Sequence, residues 1–111
     1  VNLNDYQKCA CKTSAIKPSQ ENFRNHITMA VLGLNGEAGE LADLIKKWLY
    51  HGHSLNIAKL QEELGDILWY IAEACTAYGC ELEDIAESNL AKLQQRYGDK
   101  FSSEKSINRV E

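Results

Sequence analysis

The chain has 111 residues, of which 44% are apolar and 25% charged, and a net charge of −4 at pH 7. That suffices for one domain with one modest core. The acidic balance argues against a general nucleic-acid binder, which needs a basic face, and no apolar run reaches the roughly 18 residues that read as a membrane span.

The opening VNLNDYQKCACKTS lacks the charged-then-apolar layout of a signal peptide, so a cytoplasmic setting is expected. A single proline, Pro18, and the near absence of β-branched runs predict an all-α chain. The first helix is expected over about 3–15, with Tyr6 and Ala10 inward, and Ile16-Lys17-Pro18-Ser19 breaks it. A long second helix follows over about 21–50, carrying Gly33, Gly36 and Gly39, which lower helix propensity but let a ligand or another backbone approach. HGHS forms the turn, with Gly52 as cap. The third helix is expected over about 55–78, ending at Gly79, and the fourth from about 81 to Gly98, with Leu82, Ile85, Ala86, Leu90 and Leu93 as its stripe. Short turns between long helices favour antiparallel neighbours, hence a four-helix bundle. The whole reads as one helical domain over 1–111, with an N-terminal helix and loop over 1–20 and a flexible tail over 102–111.

Two acidic pairs interrupt this apolar pattern: Glu37-x-x-Glu40 on the second helix and Glu63-x-x-Asp66 on the third. At ~100° per residue, Leu34, Leu44, Ile45 and Trp48 lie within roughly 60° of Leu41 and define a buried stripe. Glu37 lies about 40° from Leu41, inside the stripe, and Glu40 about 100° away on its flank. On the third helix Leu64, Ile67 and Ile71 gather around Leu60, with Glu63 roughly 60° and Asp66 roughly 120° off on one flank. Asp43, Glu62 and Glu73 point away, so the geometry selects Glu63 rather than its neighbour Glu62. A carboxylate in an apolar stripe is costly unless a positive charge meets it. A single such pair is usually a solvated face; two on adjacent helices supply four oxygen ligands around one cavity, which suits Mg²⁺ or Mn²⁺. The Glu-x-x-His of di-iron bundles is missing. Mg²⁺ commonly binds together with substrate phosphates, so a polyphosphate ester is the implied substrate.

Other features carry less. Cys9, Cys11, Cys75 and Cys80 form no Cys-x-x-Cys pair and read as small thiols rather than a zinc site. The His51-x-His53 pair sits in the turn. Trp69 lies about 180° from Leu60, together with Gly65, Ala58 and Thr76; this side reads as a self-association face, the other occupant being the first helix or tail of the same chain. Lys92 and Arg96 lie one turn apart on the fourth helix, with Asn89 on their side, and suit phosphate contacts. Lys47, two turns past Glu40, is a further such cation, and Tyr70, one turn after Asp66, borders the sugar or packs at the bundle edge. Tyr6, Phe23 and His26 are the residues available to face a base.

LGLNGEAGELADLIKKW and the later EELGDILWYIAEACTAYGCELEDIAESNLAKLQQRYGDKF resemble the MazG-like nucleoside triphosphate pyrophosphohydrolases over roughly residues 25–101. The Glu-x-x-Glu and Glu-x-x-Asp motifs are separated by 22 residues, and Asn89, Lys92, Leu93, Arg96 and Tyr97 fit the downstream block. The resemblance implies an all-α, single-domain, Mg²⁺-dependent enzyme. It would cleave (deoxy)nucleoside triphosphates between the α- and β-phosphates to a monophosphate and pyrophosphate, clearing the nucleotide pool as a homodimer or dimer of dimers. Glu37, Glu40, Glu63 and Asp66 would hold the metal, with Glu37 or Glu40 as general base. Lys92, Arg96, Asn89, Tyr70 and Lys47 would contact substrate. The alternative is a non-catalytic helical dimer that binds nucleotide or metal without turnover.

Overall fold

The computed structural model describes residues 1–98, so the expected tail lies outside the described residues. Four helices and no strand occur among them: α1 (Leu3–Cys11), α2 (Phe23–Tyr50), α3 (Ile57–Tyr78) and α4 (Leu82–Tyr97). Their ends have local causes. The Asn2 side chain accepts from the Asp5 backbone N–H at 2.8 Å, and Asn56 does the same for Lys59 at 3.0 Å, satisfying N–H groups that a first turn leaves open. At the end of α3, Gly79 takes φ 84°, where a side chain would be strained. The N–H of Cys80 then returns to the Cys75 carbonyl at 2.9 Å and that of Gly79 to Thr76 at 3.2 Å, the paired bonds of a Schellman cap. No helix among the described residues is long and apolar enough to cross a membrane.

α2 and α3 form an antiparallel pair, shown by the contacts of His26 with Glu73 and of Gly33 with Tyr70. α1 runs antiparallel along the other side of α3: Gln7 donates to Thr76 Oγ1 at 3.2 Å, and further along Trp69 Nε1 donates to Thr13 Oγ1 at 2.8 Å. The cluster of Ala10, Ala72, Cys75 and Leu82, joined by Tyr6, Trp69 and Ile71, forms the core between α1, α3 and the start of α4. Burying a side chain such as Leu82 there contributes about 1.5–3 kcal/mol. The self-association face expected around Trp69 is therefore the seat of α1. Thr13, just beyond the end of α1, holds the indole because its hydroxyl donates to the Ala10 carbonyl at 2.7 Å and is left free to accept.

α4 hangs from α1. Its N-cap residue, Glu81, makes no capping bond of its own. Instead Gln7 Oε1 accepts from the Leu82 N–H at 2.7 Å and Asn4 Oδ1 from the Glu83 N–H at 3.2 Å. Beyond that anchor α4 does not pack on α2, and an apolar groove of about 290 Å³ lies between Ile27 and Leu34 of α2, Ile71 of α3 and Ile85 of α4. Among the described residues α4 thus joins the helical bundle through α1 and α3 and not through α2. The radius of gyration, 17.2 Å, against about 13 Å for a compact chain near this length, records the openness.

The α2–α3 seam also differs from the expected stripe. His26 and Ala30 on α2, and Glu63 and Glu73 on α3, are the residues sealed from solvent, whereas Trp48 and Leu64 remain 43% and 49% exposed. The closest approach falls on small residues, and this turns the seam roughly 60° on α2 and 100° on α3 away from the leucines. Glu73, read as outward from the leucine stripe, therefore points inward. Gly33 is the tight point: a Cβ there would lie 2.1 Å from a Tyr70 ring carbon, whereas one on Gly36 would meet nothing within 4 Å. Gly33→Ala is expected to destabilise the metal-free protein by about 1–3 kcal/mol through overpacking, and Gly36→Ala to stabilise it by up to about 1 kcal/mol through helix propensity. Urea unfolding of the two variants should shift the midpoint in opposite directions; parallel shifts would contradict the seam.

Candidate metal centre

One turn beyond the Gly33–Tyr70 contact, the seam brings carboxylates together. Glu37 from α2 and Glu63 and Asp66 from α3 each offer an oxygen, and these oxygens all lie within 4.8 Å of one another. Glu63 is 2% exposed, while Glu37 and Asp66 are half-buried. Its neighbour Glu62 is exposed, as its helical angle requires. Glu40 stands outside the tight group on the exposed side, where it lines an open cleft of about 560 Å³ with Glu63, Lys59, Lys47 and the bare backbone of Gly36 and Gly39.

The crowding changes the protonation chemistry. Glu37 is raised from its ordinary 4.5 to about 7, first by a hydrogen bond with Glu63, then by burial, then by the charges of Glu40, Glu63 and Asp66. Glu63 is lowered, by that same hydrogen bond and by Lys59, whose Nζ lies 3.0 Å from Glu63 Oε1. The contact thus favours a protonated Glu37 beside an ionised Glu63, and Lys59 supplies the only cation in contact with Glu63 among the described residues. Asp66 reaches further, its charge adding to the burial that raises the Tyr6 hydroxyl. Glu37 Oε2 and Glu63 Oε2 are nevertheless buried with no hydrogen-bond partner. Two such oxygens in an all-oxygen donor set, beside a cleft, fit a hard divalent cation.

The remaining expected site residues divide. Lys47 lines the cleft and is held by Asp43 at 3.0 Å, an exposed pair in which the Lys47 hydrogen bond lowers Asp43. Tyr70 packs against Gly33 and edge-on against Trp69, ring centroids 4.9 Å apart, the packing expected at the bundle edge. Asn89, Lys92 and Arg96 lie on α4, clear of α2, and none lines the cleft. Of the residues considered for a base, His26 is sealed against Glu73, Tyr6 belongs to the α1–α3 core, and Phe23 is 40% exposed at the start of α2. Lys59 is the cleft residue that sequence reasoning passed over. Its signal was the Lys59–Glu63 spacing of four, which places the two on one helix face.

Comparison with known proteins shows the family. A family model described as the MazG nucleotide pyrophosphohydrolase domain matches residues 25–101, a span that holds Glu37, Glu40, Glu63, Asp66 and all of α4 and leaves α1 outside. The chain is 34% identical over 98 residues to the Gene 37 protein of Mycobacterium phage L5, covering 83% of this chain and 86% of that one. No solved structure matches.

The raised Glu37 has a signed consequence. The folded state favours its protonated form, so its contribution to stability is full below about 4.5 and is lost as pH rises through about 7. In chelator-treated protein, urea unfolding at pH 5 and pH 7.5 should show a larger loss for the wild type than for Glu37→Gln. Equal losses in the two proteins would rule out the protonated Glu37.

Proposed function

The chain belongs to the MazG nucleotide pyrophosphohydrolase domain family, and from that membership we infer that it hydrolyses (deoxy)nucleoside triphosphates to monophosphate and pyrophosphate with Mg²⁺, or Mn²⁺ in its place. The observation that supports this most directly is the pair of buried, partnerless oxygens on Glu37 and Glu63, with Asp66 beside them, where Glu63 itself lines an open cleft bearing Glu40, Lys47 and Lys59. Glu37, Glu40, Glu63 and Asp66 are the ligands. Bound there, the divalent ion withdraws charge from phosphate oxygens and lowers the pKa of a bound water.

The chain's own residues supply the rest. Glu37 or Glu40, whichever is not fully engaged as a ligand, accepts the proton of the attacking water; in the metal-free site crowding by Glu63 and burial already raise the proton affinity of Glu37. Lys59 and Lys47 sit where the charge of the departing pyrophosphate develops. The exposed Gly36 and Gly39 leave the cleft wall bare, so a phosphate chain can lie close to the backbone.

The active form is a homodimer or a dimer of dimers. Leu32 and Leu90 are 65% and 64% exposed, and the groove between α2 and α4 is left uncovered by the described residues. A second copy covering these surfaces also brings the α4 residues Asn89, Lys92 and Arg96 to the phosphates. The house-cleaning role follows from the reaction class.

Incubation with a panel of nucleoside triphosphates and Mg²⁺ should release pyrophosphate. Glu63→Gln should keep the helical circular dichroism and lose at least about 10²-fold in turnover, the scale on which a positioned acid–base system acts. Orthophosphate release would mean that a different bond breaks. Silence across the panel, with Mn²⁺ still bound, would favour the non-catalytic binding module.

A further inference from the structure

The seam contains a second ionisable contact that the reaction does not use. His26 Nε2 on α2 and Glu73 Oε2 on α3 share a hydrogen bond of 3.0 Å, and both side chains are only 1% exposed. It lies 11 residues, about 16 Å, along α2 from Glu37. Spacing places both on one line. On α2 the seam runs His26, Ala30, Gly33, Glu37, in steps of four, three and four; on α3 it runs Glu63, Asp66, Tyr70, Glu73, in steps of three, four and three.

We propose that His26 and Glu73 are positioning residues: their buried pair fixes the register of α2 on α3 and so holds Glu37 against Glu63 and Asp66. The proposal rests on the metal-centre reading above.

Three observations carry it. First, three acidic side chains are crowded within 4.8 Å of one another, a placement that packing elsewhere along the seam has to maintain. Second, the stretch between the acids and His26 resists sliding poorly. Ala30 is small and fully buried, so it offers no projecting group to interlock, and Gly33 receives Tyr70 by shape alone. Third, the His26–Glu73 pair exists in one register only. A slip of one turn, ~5.4 Å, buries a histidine and a glutamate with no partner, the costly outcome for polar groups in an apolar seam.

The pair is not an efficient stabiliser. His26 Nδ1 and Glu73 Oε1 are both buried without partners, and an apolar pair of similar volume commonly serves stability as well or better. Specifying register is the best-attested use of such a buried polar contact between helices.

The test uses the full chain in two variants, with Mn²⁺ as the probe. The double variant His26→Leu/Glu73→Met makes the contact apolar; Glu73→Gln keeps a hydrogen bond to His26 at the same place. The wild type should show, without metal, a single nuclear Overhauser contact between the Gly33 α-protons and the Tyr70 ring. In the double variant, helicity and the urea midpoint should equal or exceed wild type, while that contact weakens or splits and Mn²⁺ affinity by calorimetry falls about 10–100-fold. Glu73→Gln should retain both the contact and the affinity. An unchanged contact with unchanged Mn²⁺ affinity in the double variant overturns the proposal. Loss of helicity overturns it too, because the pair would then be an ordinary stabilising element. Equal loss of affinity in Glu73→Gln would assign the effect to charge and not to register. A wild type that shows the single contact yet binds no Mn²⁺ would instead defeat the metal-centre reading, with the register still read from the Overhauser contact.

Discussion

The structure depends on how closely two antiparallel rods approach. α2 and α3 meet along small and ionisable residues instead of leucines, and Gly33 receives the Tyr70 ring at a distance that no side chain at that position would allow. Close approach leaves no room for large apolar groups in the seam and forces whatever carboxylates share the line into contact. Glu37, Glu63 and Asp66 are brought within 4.8 Å by the same packing that seats Tyr70. Site and fold are thus one set of contacts, and stability at this point trades against the placement of charge.

The same choice explains the uncovered leucines. Once the seam is filled by small and ionisable residues, the leucine stripes of α2 and α3 flank it, and nothing among the described residues covers them fully. α4 would be the natural cover, but its first turn is fixed elsewhere: the Gln7 and Asn4 side chains take its open N–H groups, and Leu82 is buried in the α1–α3 core. α1 therefore acts as an architectural clamp. It lies outside the span that the family model matches, yet it sets where α4 departs from the hairpin, and hence which surfaces stay open to a second copy. Trp69 is the visible sign of this clamp. An indole pointing away from the leucines suits an interface, and the interface here is with α1.

Much of this was legible in the sequence, and the reasons are local. Pro18, Gly52 and Gly79 act within a few residues of themselves, so helix ends could be read to within about two residues, except that α1 stops at Cys11 rather than near residue 15. The inward placement of Glu63 over Glu62 followed from one helical angle. What was not legible depended on the rotation of one helix against another. Taking the leucines as the inward direction puts Glu73 outside and Trp48 inside, and the structure reverses both. No single-chain periodicity distinguishes a stripe that meets its own neighbour from one that meets a partner. Lys59 was missed for a related reason: a lysine four residues before a glutamate is common on exposed faces, and only the cleft gives it a second role. The placement of Asn89, Lys92 and Arg96 is a matter of where α4 goes after its anchor, which rests on long-range contacts of Gln7 and Asn4.

The acidic group has several ways to be neutralised, and they compete for the same oxygens. A proton on Glu37, in its hydrogen bond with Glu63, is one; the Lys59 ammonium at 3.0 Å from Glu63 is another. Glu37 Oε2 and Glu63 Oε2 lie buried without a hydrogen-bond partner. With Asp66 they would hold the divalent cation of the proposed function, whose charge would offset theirs. Lys59 already stands at the wall of the cleft, beside Lys47, so a change of counter-charge at Glu63 asks nothing of the helices except that the seam hold its register.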